Sequence, residues 1–309
     1  MTYSILALDP EAGQIGVAVQ SHYFGVGSLV PWARPGVGVV ATQSVVRAEY
    51  GRDLLDELAA GRDPQQALDE LVAADDGEAV RQVAVLRIDG VGATHTGSGC
   101  IASAGHAVGS LARGQANLVA GPAVWEGMLD VFENSAGTLA SRMLDALDAA
   151  QDAGGDLRGQ QAAALKIVST TDTSDLGADT VLDLRVDDHP APLAELRRLA
   201  SAATALSGLV AMLEHPGLLI GDATAAEDAV ANAVGELERA QRILGDANLE
   251  PTVWRGLILA RFGDRTGAAN ALSAAASHDP AVTQLLASLA GAGMWQSPMD
   301  DLLALTERP

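Results

Sequence analysis

The sequence predicts an α+β chain, with strands and helices mixed over residues 1–202 and an all-helical region over 203–309. Three observations carry this reading. The opening strands, Ser4 to Leu8 and Ile15 to Gln20, are apolar on both faces, as in a sheet covered on both sides. Helix-period segments then alternate with further strand segments as far as Val186, and after about Ala203 strand patterning stops. At 309 residues the chain also exceeds a typical single domain.

Asp9-Pro10-Glu11-Ala12-Gly13 joins the first two strands, a turn with proline early and glycine late, and Val37 to Ser44 is a third strand. From Tyr50 to Ala74, Leu54, Leu55 and Leu58, then Ala67, Leu68, Leu71 and Val72, recur at helical spacing. Gly61-Arg62-Asp63-Pro64 divides this stretch into two helices, with Asp63 as N-cap and Pro64 at the first helical position. Gln82 to Ile88 and Val91 to His95 flank Asp89-Gly90, a two-residue hairpin signal. The glycine-rich passage Gly97 to Gly121 reads as loops and short strands. Trp125 to Asp152 returns to a helical period, Ala162 to Ser169 and Val181 to Val186 are strands, and Leu193 to Ala203 is a helix.

In the tail, Leu206 to Leu213, Ala225 to Leu244, Pro251 to Phe262, Gly267 to Ser277 and Val282 to Leu289 read as alanine-rich helices. Trp254, Gly256, Leu257, Ala260, Phe262, Gly263, Ala268, Leu272 and Ala276 follow the small-and-large alternation of one tetratricopeptide unit; an all-helical cap produces the same spacing by chance.

Composition narrows the function classes. Apolar residues make up 48% of the chain, enough for a sizeable core, yet the longest apolar runs, such as Ala202 to Val210, are too short for a bilayer. The start shows no basic stretch ahead of an apolar one, so no secretory signal is read and a cytoplasmic location is expected. A single cysteine, Cys100, excludes an internal disulfide framework and a multi-cysteine zinc site. A net charge of -21, from 40 acidic and 19 basic residues, opposes a polyanionic partner, so nucleic acid is not expected. No cofactor, metal or membrane is expected. A small-molecule substrate is, together with a possible homo-oligomer and a protein partner for the helical tail.

Residue 2 is a threonine that leads directly into the first strand. With Met1 removed, Thr2 would carry a hydroxyl nucleophile and a free α-amine of pKa about 7.7 to 8.0, a competent general base near neutrality. Threonine with an N-terminal amine is a route to acyl transfer. The plain reading is that many chains begin Met-Thr without chemical consequence, and a retained Met1 would turn that amine into an amide.

Several phrases occur together: Ser4-Ile5-Leu6-Ala7-Leu8-Asp9-Pro10 with Gly13, Gly16-Val17-Ala18-Val19 and Ser21, Ala41-Thr42-Gln43, Arg81-Gln82-Val83, Ala104-Gly105-His106, Gly154-Gly155-Asp156-Leu157-Arg158-Gly159 and Asp183-Leu184-Arg185-Val186-Asp187-Asp188-His189-Pro190. In this combination and order, from Thr2 to about Leu199, the chain resembles the domain-of-unknown-function family numbered 1028, itself similar in fold to the N-terminal-nucleophile hydrolases. The resemblance implies a four-layer αββα sandwich with the nucleophile at the start of the first strand, and it leaves the helical tail outside. It implies no settled reaction. Two positions depart from the family's pattern: Ala116 replaces the glycine of a Gln-Gly-Asn phrase, and Ala162 stands where a serine usually follows Arg-Gly-x-Gln.

The candidate site residues follow. Thr2 and His106 are the catalytic candidates, and Ser21, Gln43, Gln82, Asn117 and Asp156 the substrate-binding ones. Thr2, Gln43, Gln82, His106 and Asn117 are expected to line one pocket, because buried polar groups near a sheet end must pair or bind something. Threonine members of the superfamily use an early-strand lysine to depress the amine pKa. Here the one lysine, Lys166, lies on a late strand, so Arg34 or Arg47 would have to act electrostatically. Cys100 lies six positions before His106, which admits a cysteine and histidine pair or a small buried hydrophobe. The surrounding glycines allow backbone N–H groups to face an oxyanion. Asp187 and His189 would share a strand face, but two ligands do not make a metal site; pairing of Asp188 with Arg185 or Arg158, and of Asp156 with Arg158, is the other use. The function read from all this is hydrolysis of a small, non-peptide amide or related C–N bond. A catalytically silent binding or assembly protein of the same fold is the rival.

Overall fold

The computed structural model describes residues 2–291, 301 and 304–306. The fate of Met1 lies outside them. In chain order the strands are β1 (Thr2–Asp9), β2 (Gln14–Ser21), β3 (Pro31–Arg34), β4 (Gly38–Ser44), β5 (Arg81–Arg87), β6 (Gly92–Thr96), β7 (Gly105–Val108), β8 (Ala112–Asn117), β9 (Ala162–Ser169) and β10 (Thr180–Val186). They form two antiparallel sheets, one in the order β10-β9-β2-β1-β8-β7 and one in the order β3-β4-β5-β6.

Alternation along the strands sorts side chains between two apolar layers. On β1, Leu6 and Leu8 join Val17 and Val19 of β2 and Val39, Ala41, Ala84 and Leu86 of the other sheet, so this face is the space between the sheets. Tyr3, Ile5 and Ala7 point the other way, onto α3 (Ala123–Asn134) and α4 (Leu139–Asp152), where Met128, Phe132, Met143 and Leu147 are fully buried. The outer face of the second sheet, through Val40, Val83 and Val85, is covered by α1 (Glu49–Ala59) and α2 (Pro64–Ala73). The result is helices, sheet, sheet, helices, with three apolar layers in which each fully buried large side chain contributes about 1.5–3 kcal/mol.

Local signals explain the element ends. Asp63 Oδ1 accepts from the N–H groups of Gln65 and Gln66 at 3.0 and 3.1 Å, capping α2 as its sequence position predicts. Gly13 takes a positive φ of 62° in the β1–β2 turn, where Asp9 Oδ1 also accepts from Ala12 N. β3 has no counterpart in the sequence reading. It is a short edge strand that begins at Pro31, a position a sheet edge tolerates because no ladder donor is needed there. A short helix α5 (Leu176–Asp179) precedes β10, and α6 (Pro192–Glu214) lays Leu193, Leu196 and Ala200 onto the first sheet's outer layer.

Asp187, Asp188 and His189 require a correction. β10 ends at Val186, so the strand alternation that would have put Asp187 and His189 on one face does not reach them. Asp187 accepts from Arg185 at 2.8 Å, Asp188 from Gln161 Nε2 at 3.2 Å, and His189 Nδ1 from the N–H of Ala191 at 3.0 Å.

Between α2 and β5, buried Asp75 accepts from Arg81 Nε (2.8 Å), the N–H of Gly77 (2.9 Å) and the hydroxyl of Tyr50 (3.1 Å), and pairs with Arg47 at 3.3 Å. Hydrogen bonding from Arg81, with these other donors, holds its carboxyl well below the usual carboxylate range against the opposing effect of burial. Burial, and next the Asp75 charge, push the Tyr50 phenol up to about 12. Since the folded carboxyl pKa is below the unfolded value of about 3.9, its stabilisation is complete above that pH and is withdrawn as the pH falls further. Asp75→Asn is expected to cost about 3 kcal/mol at pH 7 by leaving Arg81 without its carboxylate. Denaturant titrations at pH 7 and pH 3 should show the gap between native and variant chains narrowing in acid; an equal gap at both would contradict this account of Asp75.

The chain forms two compact units, residues 1–200 and 201–309. Within the second unit lie α7 (Glu227–Leu244), α8 (Glu250–Arg261), α9 (Arg265–His278) and α10 (Ala281–Gly291), around Leu237, Leu257, Ile258, Leu272 and Leu286. The tetratricopeptide-like passage maps onto α8 and α9. A Cβ on Gly256 would lie 2.6 Å from Leu272, so glycine sets how closely these two helices approach. Among the described residues no helix is long and apolar enough to cross a membrane.

Candidate functional site

Thr2 is placed by strand register on both sides. It opens β1 opposite Ser21 of β2 and Asn117 of β8, and Ser21 is in turn opposite Ala162 of β9. Opposed residues of antiparallel strands share a face, so Thr2, Ser21, Asn117 and Ala162 form one row aimed at the second sheet. Thr2 is 7% exposed, and its Oγ1 lies 3.0 Å from Ser21 Oγ, with either hydroxyl able to donate.

The facing row of the second sheet is Gln43, Gln82 and Thr96. Gln43 Nε2 donates to the Thr2 carbonyl at 3.2 Å and to Gln82 Oε1 at 2.8 Å, and Asn117 Nδ2 donates to the same Gln82 oxygen at 3.0 Å. Gln82 Nε2 reaches the carbonyls of Ala116 (2.9 Å) and Gly105 (3.1 Å) and Thr96 Oγ1 (3.1 Å). One residue pair deeper, Ser4 Oγ donates to Gln43 Oε1 at 2.8 Å, and Gln115 Nε2 donates to the Ala41 carbonyl at 3.1 Å. Ser4, Gln43, Gln82 and Gln115 are shielded from solvent, where unpaired amides would be costly. Together they tie the two sheets at the end where β1 begins and hold the backbone of Thr2.

Thr2 and Ser21 also border a cavity of about 390 Å³. Ser44 and Arg158 complete its polar lining, and Val26, Leu29, Val30 and Val46 form its apolar wall, with Tyr23 at the rim. Ser44 ends β4 at φ 71°, a left-handed conformation costing a non-glycine residue about 1 kcal/mol or more, and turns the chain so that Val46 and Ala48 reach the cavity. Arg158 is held by Asp156, whose side chain has no exposure. Asp156 accepts from the N–H groups of His22 and Arg158, both at 2.8 Å, and from Arg158 Nε and Nη2 at 3.3 and 3.1 Å. Positive φ values at Gly154, Gly155 and Gly159 allow this tight clasp.

The Family of unknown function (DUF1028) matches residues 2–196, well over half of the chain. The chain belongs to that family. A crystal structure of the DUF1028 protein SPO2555 from Silicibacter pomeroyi is 31% identical at a TM-score of 0.61, covering 66% of this chain and 86% of that one. Anbu (ancestral beta-subunit) from Yersinia bercovieri aligns at 15% identity and a TM-score of 0.30 over 71% of this chain and 99% of that one, too weak a likeness to support a conclusion. No curated protein matches the chain.

The positions where this DUF1028 chain departs from the phrases of its family are both fully buried. Ala116 lies in the layer between β8 and the helices, and Ala162 between the sheets in the Thr2 row, where it belongs to the apolar cluster of that layer and does not border the cavity.

The predicted residues converge, with corrections. Thr2, Ser21, Gln43, Gln82 and Asn117 meet at one end of the sandwich, but only the first two of these border the cavity. The others fill the narrow space between the sheets and pair with one another. His106 does not border the cavity either. It lies on β7, two strands from β1 and so roughly 10 Å to one side at the usual strand spacing. Its Nδ1 is 2.9 Å from Thr96 Oγ1, which joins it to the amide layer, and burial, then the His95 charge, lower its pKa. Cys100 donates its thiol to the Arg81 carbonyl at 3.2 Å instead of pairing with His106. The N–H groups of Gly97, Gly99 and Cys100 serve the carbonyls of Arg81, Ala79 and Gly97, so they are not oxyanion donors. Asp156 stands behind the cavity wall. Lys166 pairs with Asp183, Arg34 with Asp56 and Arg47 with Asp75, leaving none of the three at the cavity. The residue missed is Arg158, which the sequence offered only as an ion-pair partner for Asp156 or Asp188.

Proposed function

We propose that this chain is a hydrolase of a small, non-peptide amide or related C–N bond, of the N-terminal-nucleophile type. The observation that carries the reading is Thr2 itself: the first residue of a central strand, its hydroxyl beside Ser21 Oγ, bordering a cavity of about 390 Å³. After removal of Met1, the α-amine of Thr2 takes the hydroxyl proton as Oγ1 attacks the substrate carbonyl carbon. The proton passes to the departing amine as the C–N bond breaks, and water then hydrolyses the acyl ester on Oγ1. Ser21 and the amide layer orient Thr2, and Arg158 gives the cavity a positive wall.

A silent binding protein of the same fold is the second reading. It is favoured by the placement of the one lysine, Lys166, which pairs with Asp183 away from the cavity and so is not there to depress the α-amine pKa. The intact mass of the purified chain separates the two. The hydrolase reading requires a chain lighter by one methionine residue, and full retention of Met1 leaves the binding reading.

A further inference from the structure

We propose that the cavity beside Thr2 selects an amphipathic acid: an amide with an apolar acyl group and a carboxylate that Arg158 receives. The inference rests on the reading of Thr2 as the reacting group and adds the class of substrate.

Two independent features support it. The first is the clasp on Arg158. A carboxylate with no solvent exposure is costly unless satisfied, and among the described residues Asp156 is satisfied by the two backbone N–H groups and the Arg158 guanidinium. Its effect is to orient an arginine whose own side chain stays 38% exposed and borders the same cavity as Thr2. A guanidinium fixed in one plane is suited to a carboxylate, which it meets through a fork of N–H donors.

The second feature is the apolar surface on the cavity and around its rim. Val26 and Val30, each 2% exposed, form the inner wall with Leu29 and Val46. Tyr23, Phe24 and Leu157 are 55%, 65% and 61% exposed. Tyr23 and Arg158 line the cavity, and Phe24 and Leu157 are their chain neighbours. Large apolar side chains left in water beside a pocket mark a surface that an apolar ligand covers.

The test uses the full chain carrying Thr2→Ala, so that ligands bind without being consumed, with N-hexanoylglycine, its neutral amide N-hexanoylglycinamide and N-acetylglycine as probes in titration calorimetry. The acid should bind about tenfold more tightly than its amide, as expected for one charge-assisted pair. N-acetylglycine should bind at least about tenfold more weakly than the hexanoyl acid, as the loss of four buried methylenes requires. Arg158→Gln in the same background should bring acid and amide within about twofold of each other, and Arg158→Lys should keep part of the preference. Equal binding of acid and amide by the Arg158 chain overturns the proposal, as does an unchanged preference in Arg158→Gln or no binding of either probe. Should Arg158→Gln fail to fold, the comparison of acid with amide on the Arg158 chain still decides. Turnover by the native chain is read separately. Acid preference without cleavage supports the carboxylate site and sinks the hydrolase, whereas cleavage without acid preference does the reverse.

Discussion

Replacing Thr2 by alanine is expected to lower amide turnover by at least about a thousandfold while the chain remains folded. The substitution deletes Oγ1 and, with it, the bond to Ser21 Oγ, but the Thr2 carbonyl that accepts from Gln43 Nε2 belongs to the backbone and stays. The residue contributes one small side chain at a strand end, so the stability loss should stay near 1 kcal/mol. Thr2→Ser keeps a hydroxyl and should retain measurable turnover. Rates on the best substrate of a small-amide panel, with unfolding curves for both variants, check this. A Thr2→Ala chain that turns over at the native rate removes Thr2 from the chemistry.

The largest effect on stability is expected at Gln82. Its Oε1 accepts from both Gln43 and Asn117, and its Nε2 serves Ala116, Gly105 and Thr96. Leucine would fill much of the same volume yet leave the buried amide donors of Gln43 and Asn117 without the acceptor they share, at about 1–3 kcal/mol for each unsatisfied group. Partial rearrangement reduces the sum, and Gln82→Leu should cost about 4 kcal/mol. Gln43→Leu should cost less, because Gln82 retains its bonds to Asn117 and β8. Urea titrations of the two variants provide the measurement; a Gln82→Leu loss below about 1 kcal/mol would show that the amide layer does not hold the sheets together.

The parts of this molecule that were legible in the sequence are those whose cause is local. Asp63 followed by Pro64 caps α2 wherever that helix packs, and Asp89-Gly90 closes its hairpin by turn chemistry alone. β8 was harder to read. Ala112-Arg113-Gly114-Gln115-Ala116-Asn117 carries no large apolar side chain, yet it lies beside β1, with small residues turned to α3 and amides turned between the sheets. A strand so polar is stable only because a second sheet supplies partners, and no window of sequence contains them. The same holds for the site. Gln43, Gln82 and Asn117 could be picked out as polar residues near apolar strands, but whether they faced a ligand or each other depended on how closely the sheets pack. Arg158 reaches the cavity because β9 pairs with β2 so that Ala162 opposes Ser21, which brings the loop before β9 to the residue next to Ser21, His22. That relation spans more than a hundred positions.

The central claim is that the Thr2 hydroxyl forms an acyl ester. Its most direct measurement is mass spectrometry of the native chain after exposure to an acylating β-lactone carrying a hexanoyl-length side chain, followed by peptide mapping. The account predicts a single adduct, on the peptide that begins at Thr2, absent from Thr2→Ala and unaffected by Cys100→Ala. An adduct on Cys100, or one that persists in Thr2→Ala, would contradict it.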